Sequence, residues 1–134
     1  MRRHSPPTVW AVPEPFRTVY SHAVEVPPGT RHLHVSGQLG VAPDGAMRPG
    51  FAAQLEQAMD NTEALLAAAR MGRSDVVKAT FFLTRTEDIP ALGEARRRRW
   101  ASDAPPAVTV VVVAALARPD ALVEVEVTGA AAAH

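Results

Sequence analysis

The sequence predicts a two-layer α+β domain of order ββαβαββ, with two helices on one face of a mixed sheet. Three stretches carry that expectation. FAAQLEQAMDNTEALLAAARMG (51–72) repeats its apolar side chains with a helical period, at 51, 55, 58, 59, 62, 65, 66 and 69, Thr62 serving as filler. LVEVEV (122–127) alternates as a strand with one covered face. DAPPAVTVVVVAAL (103–116) opens on two prolines and runs into near-pure valine, a strand apolar on both sides of its pleat.

Each element follows in chain order. The prolines at 6, 7, 13 and 15 make residues 1–17 an extended arm. TVYSHAVEV (18–26) and RHLHVSGQLG (31–40) read as two strands of a hairpin, turned by PPGT with Gly29 free to take positive φ. VAPDGAMRPG (41–50) is a loop, and the long helix then ends with Gly72 at C′. DVVKATFFL (75–83) is the third strand. TRTEDIPALGEARRRRW (84–100) is the second helix, with Thr86 or Asp88 as cap, Pro90 in its first turn, acids first and arginines last. Strands at 107–116 and 121–128 close the domain, leaving 130–134 as a tail. Helices cover one sheet face only. The valine run would leave the other apolar in water, so self-association through the open face is expected.

The bulk properties exclude several classes. At 134 residues the chain is one domain, long enough to bury a core without staples. The absence of cysteine removes disulfides, thiol nucleophiles and cysteine-based zinc sites, and fits the cytoplasm. A formal net charge of zero offers no global attraction for nucleic acid or an anionic membrane, so neither is expected as a partner. The two N-terminal arginines lack a following apolar region, so no secretory signal is expected, and no apolar stretch is long enough to span a bilayer.

Several side chains could carry chemistry. Glu124 and Glu126 leave one strand face roughly 7 Å apart, and a carboxylate partly out of water there can take and return a proton. The plainer alternative is an edge strand with solvated glutamates. Of the histidines, His32 and His34 share a strand face, but no carboxylate or cysteine completes a metal site, and a surface pair is the simpler account. His22, beside Tyr20, could belong to a pocket; His4 and His134 carry no pattern. The run Arg96–Arg99 precedes Trp100, a pairing of charge with a stacking surface that RNA could use. Four consecutive arginines spread around a helix, however, and a solvated or pairing helix end is the simpler account. SGQLG (36–40) is too short of spacing for a phosphate loop, and Ser36 has no evident triad partners.

YSHAV, VSGQLG, NTEALLAAARMGRSDVVKATFFLT, IPALGEARRRRW and PPAVTVVVVAALARPDALVEVEV, taken in order over roughly 18–129, resemble the reactive-intermediate (imine) deaminase family, the Rid superfamily. The resemblance implies a chorismate-mutase-like fold. It also implies a cytoplasmic homotrimer around a central barrel, small-molecule clefts between subunits, and no metal or organic cofactor. It further implies hydrolysis of enamine or imine intermediates to a 2-oxo acid and ammonia. Glu124 matches the glutamate that orients water; Tyr20, Ser36 and Gly37 match cleft residues. Two positions depart. Val108 stands where the family's Pro-x-Arg motif has its carboxylate-binding arginine, and Gly93 stands where an asparagine is frequent. Valine cannot make the two charge-assisted hydrogen bonds of a guanidinium. Losing such a contact costs about 1.5–3 kcal/mol, so standard 2-iminopropanoate deamination is not expected. Arg96, three residues after Gly93, is a candidate replacement cation, with the glycine leaving it room. Two functions follow: a divergent imine or enamine hydrolase working through Glu124, or a non-catalytic trimer that binds a metabolite or partner.

Overall fold

The computed structural model describes residues 1–133; His134 lies outside the described residues. Its elements are β1 (Arg2–His4), β2 (Ala23–Glu25), β3 (Thr30–Leu39), α1 (Gly50–Ala68), β4 (Val76–Leu83), α2 (Ile89–Arg99), β5 (Ala107–Val112) and β6 (Val123–Ala132). From β2 onward the order is ββαβαββ. A four-stranded mixed sheet runs β3-β6-β4-β5, with β4 and β5 parallel and the other pairs antiparallel. The parallel pair requires a crossover, and α2 supplies it.

The core explains the alternation in the last strand. Val123, Val125 and Val127 of β6 point into a cluster with Phe81 and Leu83 of β4, Leu55, Met59 and Leu66 of α1, and Leu92 of α2. Fully burying each such side chain contributes about 1.5–3 kcal/mol. Gly40 lets α1 approach: a Cβ there would stand 2.4 Å from the Gln54 Cα. Gln54 itself is buried and its amide is fully used. Nε2 donates to the carbonyls of Arg48 and Asp120, and Oε1 accepts from Leu122 N–H.

Several expected elements change. β2 pairs with β1 of the N-terminal arm, not with β3, so the expected hairpin is absent. The arm competes successfully for that edge: His4 also meets Glu25 at 2.7 Å, and Arg3 donates to the carbonyls of Ala104 and Pro105. Residues 18–22 do not form the start of a strand with β3 but turn toward β5, where Ser21 bridges Ala107.

α1 ends earlier than Gly72. Arg70 takes the C′ position at φ +56°, donating to Ala67 O, while Met71 N–H reaches back to Leu66 O. This is a Schellman closure on a non-glycine residue. The Arg31 guanidinium caps the released carbonyls, with Nη1 donating to Ala69 O at 2.6 Å and Nη2 to Arg70 O at 3.2 Å. Gly72, at φ −131°, is ordinary extended backbone. α2 begins at Ile89 after a single 3-10 turn over Thr86–Asp88. Asp88 is its cap residue by position and Pro90 sits in its first turn. The Asp88 carboxylate, however, accepts from Arg85 Nε at 2.8 Å instead of capping backbone N–H.

β5 stops at Val112, and β6 continues to Ala132, so residues 130–132 pair with β3 instead of forming a tail. β6 is central, not an edge. The open face is also less apolar than the valine run implies. Register places Thr109 and Val111 of β5 beside Thr80 and Phe82 of β4, which pair in turn with Glu126 and Glu124. Neighbouring strands therefore supply polar groups between the apolar ones. Among the described residues no helix is long and apolar enough to cross a membrane.

Candidate functional site

The strand register divides the expected site residues between the two faces of the sheet. Val108 pairs with Ala79 on the helix side, where Ala79 and Phe81 belong to the core. Glu124 pairs with Phe82 on the open side. In one chain these two positions do not face each other.

On the helix side, Val108 opens into a cavity of about 280 Å³ between α2, β4, β5 and the segment around Val19. Phe81, Trp100 and Val108 give it apolar walls; Arg96, Arg73, Ser74 and Ser102 are its polar lining. The prolines before β5 shape its rim. Ser21 N–H donates to Pro106 O at 2.8 Å, Ser21 Oγ to Pro105 O at 2.8 Å, and Ser102 N–H to Thr18 O at 2.8 Å. These bonds hold residues 18–21 against 102–106. Tyr20 flanks the cavity without lining it, its ring 5.9 Å from His22 and 6.5 Å from Phe16.

Arg96 is buried on this side, only 7% exposed. Nη2 donates to Val19 O at 3.1 Å, and the guanidinium lies 5.1 Å from the Phe81 ring centre. Such a cation–π contact contributes about 2 kcal/mol or more when desolvated. Burial and then the neighbouring Arg97 push Arg96 down to about 10, with Tyr20 opposing. It stays cationic at neutral pH. The sequence leads to the expectation that Gly93 leaves room for Arg96, but Arg96 does not pass over it. Arg97 lies over it, its Nη1 3.4 Å from where a Cβ would be. The i+4 residue shares that face more closely than i+3 here.

On the open side, Glu124 is half-buried and lies across Gly37. A Cβ at Gly37 would come within 2.5 Å of the Glu124 Cδ and Oε1. The irregularity in β3 between Val35 and Gln38 produces this approach. Ser36 beside it is exposed, and so is Glu126.

The remaining candidates are otherwise occupied. His22 Nε2 contacts Trp10 O, and the Trp10 and His22 rings sit edge-on at 5.4 Å. His32 and His34 lie 6.5 Å apart, His32 against Thr30 Oγ1 at 3.0 Å. Among the described residues no group of three metal-ligating side chains forms. Two arginines of the run clamp α2 to α1. Arg98 pairs with Glu56, while Arg99 reaches Glu56 at 2.8 Å, Asp60 at 2.8 Å and Glu63 at 2.6 Å. Sequence reasoning missed Arg73, Trp100 and Ser102 as cavity residues. The adjacency of Trp100 to the arginine run was the one available signal.

Comparison with known proteins places this geometry in context. A family model described as endoribonuclease L-PSP matches residues 13–131. The chain is 38% identical over 101 residues to Protein DfrA of Myxococcus xanthus, covering 74% of this chain and 76% of that one. It is 36% identical over 88 residues to the 2-iminobutanoate/2-iminopropanoate deaminase of Capra hircus, covering 64% and 62% of the two chains. Among solved structures, the Rid-family protein YyfB of Yersinia pestis, of unknown function, superposes with a TM-score of 0.82 at 27% identity over 96% of each chain. A family match across nearly the whole chain, together with a fold shared from end to end, establishes that this chain belongs to the Rid superfamily.

Proposed function

We propose that the chain is a divergent Rid protein that hydrolyses an enamine, imine or related small metabolite in a cleft assembled between subunits of a homotrimer, without a cofactor. The observation that carries this reading is the division of the site. Glu124, seated on Gly37, and the cavity beside Val108 lie on opposite sheet faces of one chain. A cleft that uses both needs a second copy, which also covers Phe82 and Val111. Tyr20 and Ser36 would stand at its margins, with Gly93 on α2 nearby.

The chemistry is acid–base. Water adds across a C=N bond to give a carbinolamine, which expels ammonia and leaves a carbonyl. Glu124 takes a proton from the attacking water and returns one to the departing nitrogen. Val108 supplies no hydrogen bond to a substrate carboxylate, so 2-iminopropanoate loses about 10- to 100-fold in binding relative to an arginine-bearing site.

The test generates a panel of imines with an amino-acid oxidase and follows ammonia release. Little acceleration is expected for 2-iminopropanoate and a clear one for at least one larger imine. Glu124→Gln should remove that turnover with assembly unchanged; an unaffected rate rejects the role. The apolar Val108 also favours a second reading, a trimer that binds a metabolite without transforming it. A co-purifying, unaltered ligand with no turnover across the panel would select that one. An RNA-directed role draws little support, because Arg98 and Arg99 are paired with acids of α1 and Arg96 is buried.

A further inference from the structure

We propose that Gln54, Gln57 and Asn61 of α1 are positioning residues, side-chain amides that tie the end of β3 to the start of β6 and so hold the Glu124 carboxylate on its seat at Gly37. The effect on turnover rests on the hydrolase reading above, but the seat itself can be observed without turnover.

The seat stands at a weak point of the sheet. Val35 pairs with Val127 and Gln38 with Val125, so three steps along β3 oppose two along β6. The extra residue makes a bulge, which brings Gly37 against Glu124. A bulge interrupts the ladder locally, so cross-strand hydrogen bonds fix its place poorly. A slip of one residue would send the side chains beyond it to the other face. β3 is also an edge strand, with no strand on its outer side to oppose such a slip.

The amides of α1 supply the missing restraint. Residues 54, 57 and 61 lie three and four apart and share one face of the helix. The bonds begin at β6, where Gln54 Oε1 accepts from Leu122 N–H at 2.8 Å, two residues before Glu124. Gln54 Nε2 donates to Arg48 O at 3.2 Å, and Arg48 Nε donates to Gln57 Oε1 at 3.2 Å. Gln57 Nε2 then donates to Asn61 Oδ1 at 2.8 Å. The bonds end at β3, where Asn61 Nδ2 donates to Leu39 O at 3.3 Å and to Val41 O at 3.0 Å. Leu39 is the cross-strand partner of Glu124 and stands two residues past Gly37. Both strands are therefore gripped beside the seat.

Packing alone does not call for amides here. Gln54 and Gln57 are buried on the helix that also buries Leu55, Ala58 and Met59. Apolar side chains would fill the same space without the cost of taking polar groups out of water. A satisfied amide network adds direction, since each bond fixes a distance and an angle and together they specify one arrangement.

Asn61→Leu tests this, with Arg99→Ala as a control that frees Glu56 and Asp60 of α1 without touching the amides. In protein labelled at glycine and glutamate, a nuclear Overhauser contact is expected between the Gly37 α protons and the Glu124 γ protons. Asn61→Leu should lose it and Arg99→Ala should keep it. On the best imine of the panel, Asn61→Leu should lower kcat about 100-fold, the effect of a 1 Å misplacement, with KM little changed. Arg99→Ala should leave kcat and KM close to wild type. In a Glu124→Gln background, Asn61→Leu should cost no further turnover, because it acts through that carboxylate. A contact absent from the wild type, surviving in Asn61→Leu or lost equally in Arg99→Ala overturns the proposal. If Asn61→Leu does not fold, Asn61→Asp replaces it. Its carboxylate accepts from Gln57 but cannot donate to Leu39 O or Val41 O, and the same losses are expected. An unchanged rate in Glu124→Gln rejects the hydrolase reading, and the Overhauser contact still decides this inference. If Glu124→Gln silences turnover and Asn61→Leu leaves kcat intact, this inference alone falls.

Discussion

Substituting alanine for Gly37 tests the seat of Glu124. The new Cβ would meet the Glu124 Cδ and Oε1 at 2.5 Å and Cγ at 2.8 Å. Ordinary carbon contacts stand at about 3.5–4.0 Å, so roughly 1 Å must be recovered. The atoms in the way belong to the outer part of a flexible side chain with one face toward solvent, so the glutamate yields and the backbone stays. Moving it off its rotamer costs about 0.5–1.5 kcal/mol, and a jump to another staggered well costs less. Stability should therefore fall by no more than ~1.5 kcal/mol. Catalysis should suffer more, because a 1 Å misplacement of a reacting group can cost ~100-fold. Gly40→Ala provides the contrast. Its Cβ would meet the Gln54 Cα at 2.4 Å and carbonyl oxygen at 2.6 Å, which are backbone atoms of a packed helix. Overpacking of that kind costs ~3 kcal/mol or more. Urea unfolding midpoints and imine turnover measured on both variants decide the matter. If Gly37→Ala destabilises as strongly as Gly40→Ala, Glu124 is not the partner that yields. If it keeps full turnover, Glu124 does not act from this seat.

Two further outcomes concern the scaffold. Arg70→Gly should stabilise the chain by about 1 kcal/mol, since a non-glycine residue in the left-handed region costs ~1–2 kcal/mol and glycine returns part of that as unfolded-chain entropy; a thermal midpoint that does not rise refutes the closure described for α1. Arg99→Ala should destabilise by ~1–3 kcal/mol, because it strips a half-buried guanidinium from Glu56, Asp60 and Glu63. The same variant should weaken the acid limb of stability. Burial by itself raises Glu56, but hydrogen bonds from Arg98 and Arg99 more than reverse this and hold its carboxyl below its usual 4.5. A depressed carboxyl stabilises the fold above its unfolded pKa, and that contribution fades as pH falls below about 4.5. A wild-type and Arg99→Ala difference that stays constant from pH 6 to pH 3 contradicts the pairing.

What the sequence made legible, and what it hid, follows from how local each signal is. The periods of α1 and β6 are properties of single segments, and burial followed them: Leu55, Met59 and Leu66 on one, Val123, Val125 and Val127 on the other. Parity along one strand likewise put Glu124 and Glu126 on a common face. Whether Val108 shares a face with Glu124 is a different kind of question. It depends on how β5 registers against β4 and β4 against β6, and no single segment encodes that. The same limit hid the pairing of β2 with the arm, since the strand patterns of 18–26 fit either partner. It also hid the fate of the arginines. Four identical side chains in succession look like one feature, yet the helix sends them to three environments: inward against Phe81, over Gly93, and twice onto the acids of α1. The uncharged Val108 and the buried charge at Arg96 are therefore best weighed together. Val108 brings no charge from the strand, while α2 carries the Arg96 guanidinium into the same cavity. A valine in one segment says only that this segment brings no charge; the packing of α2 on β4 shows that positive charge stands beside it.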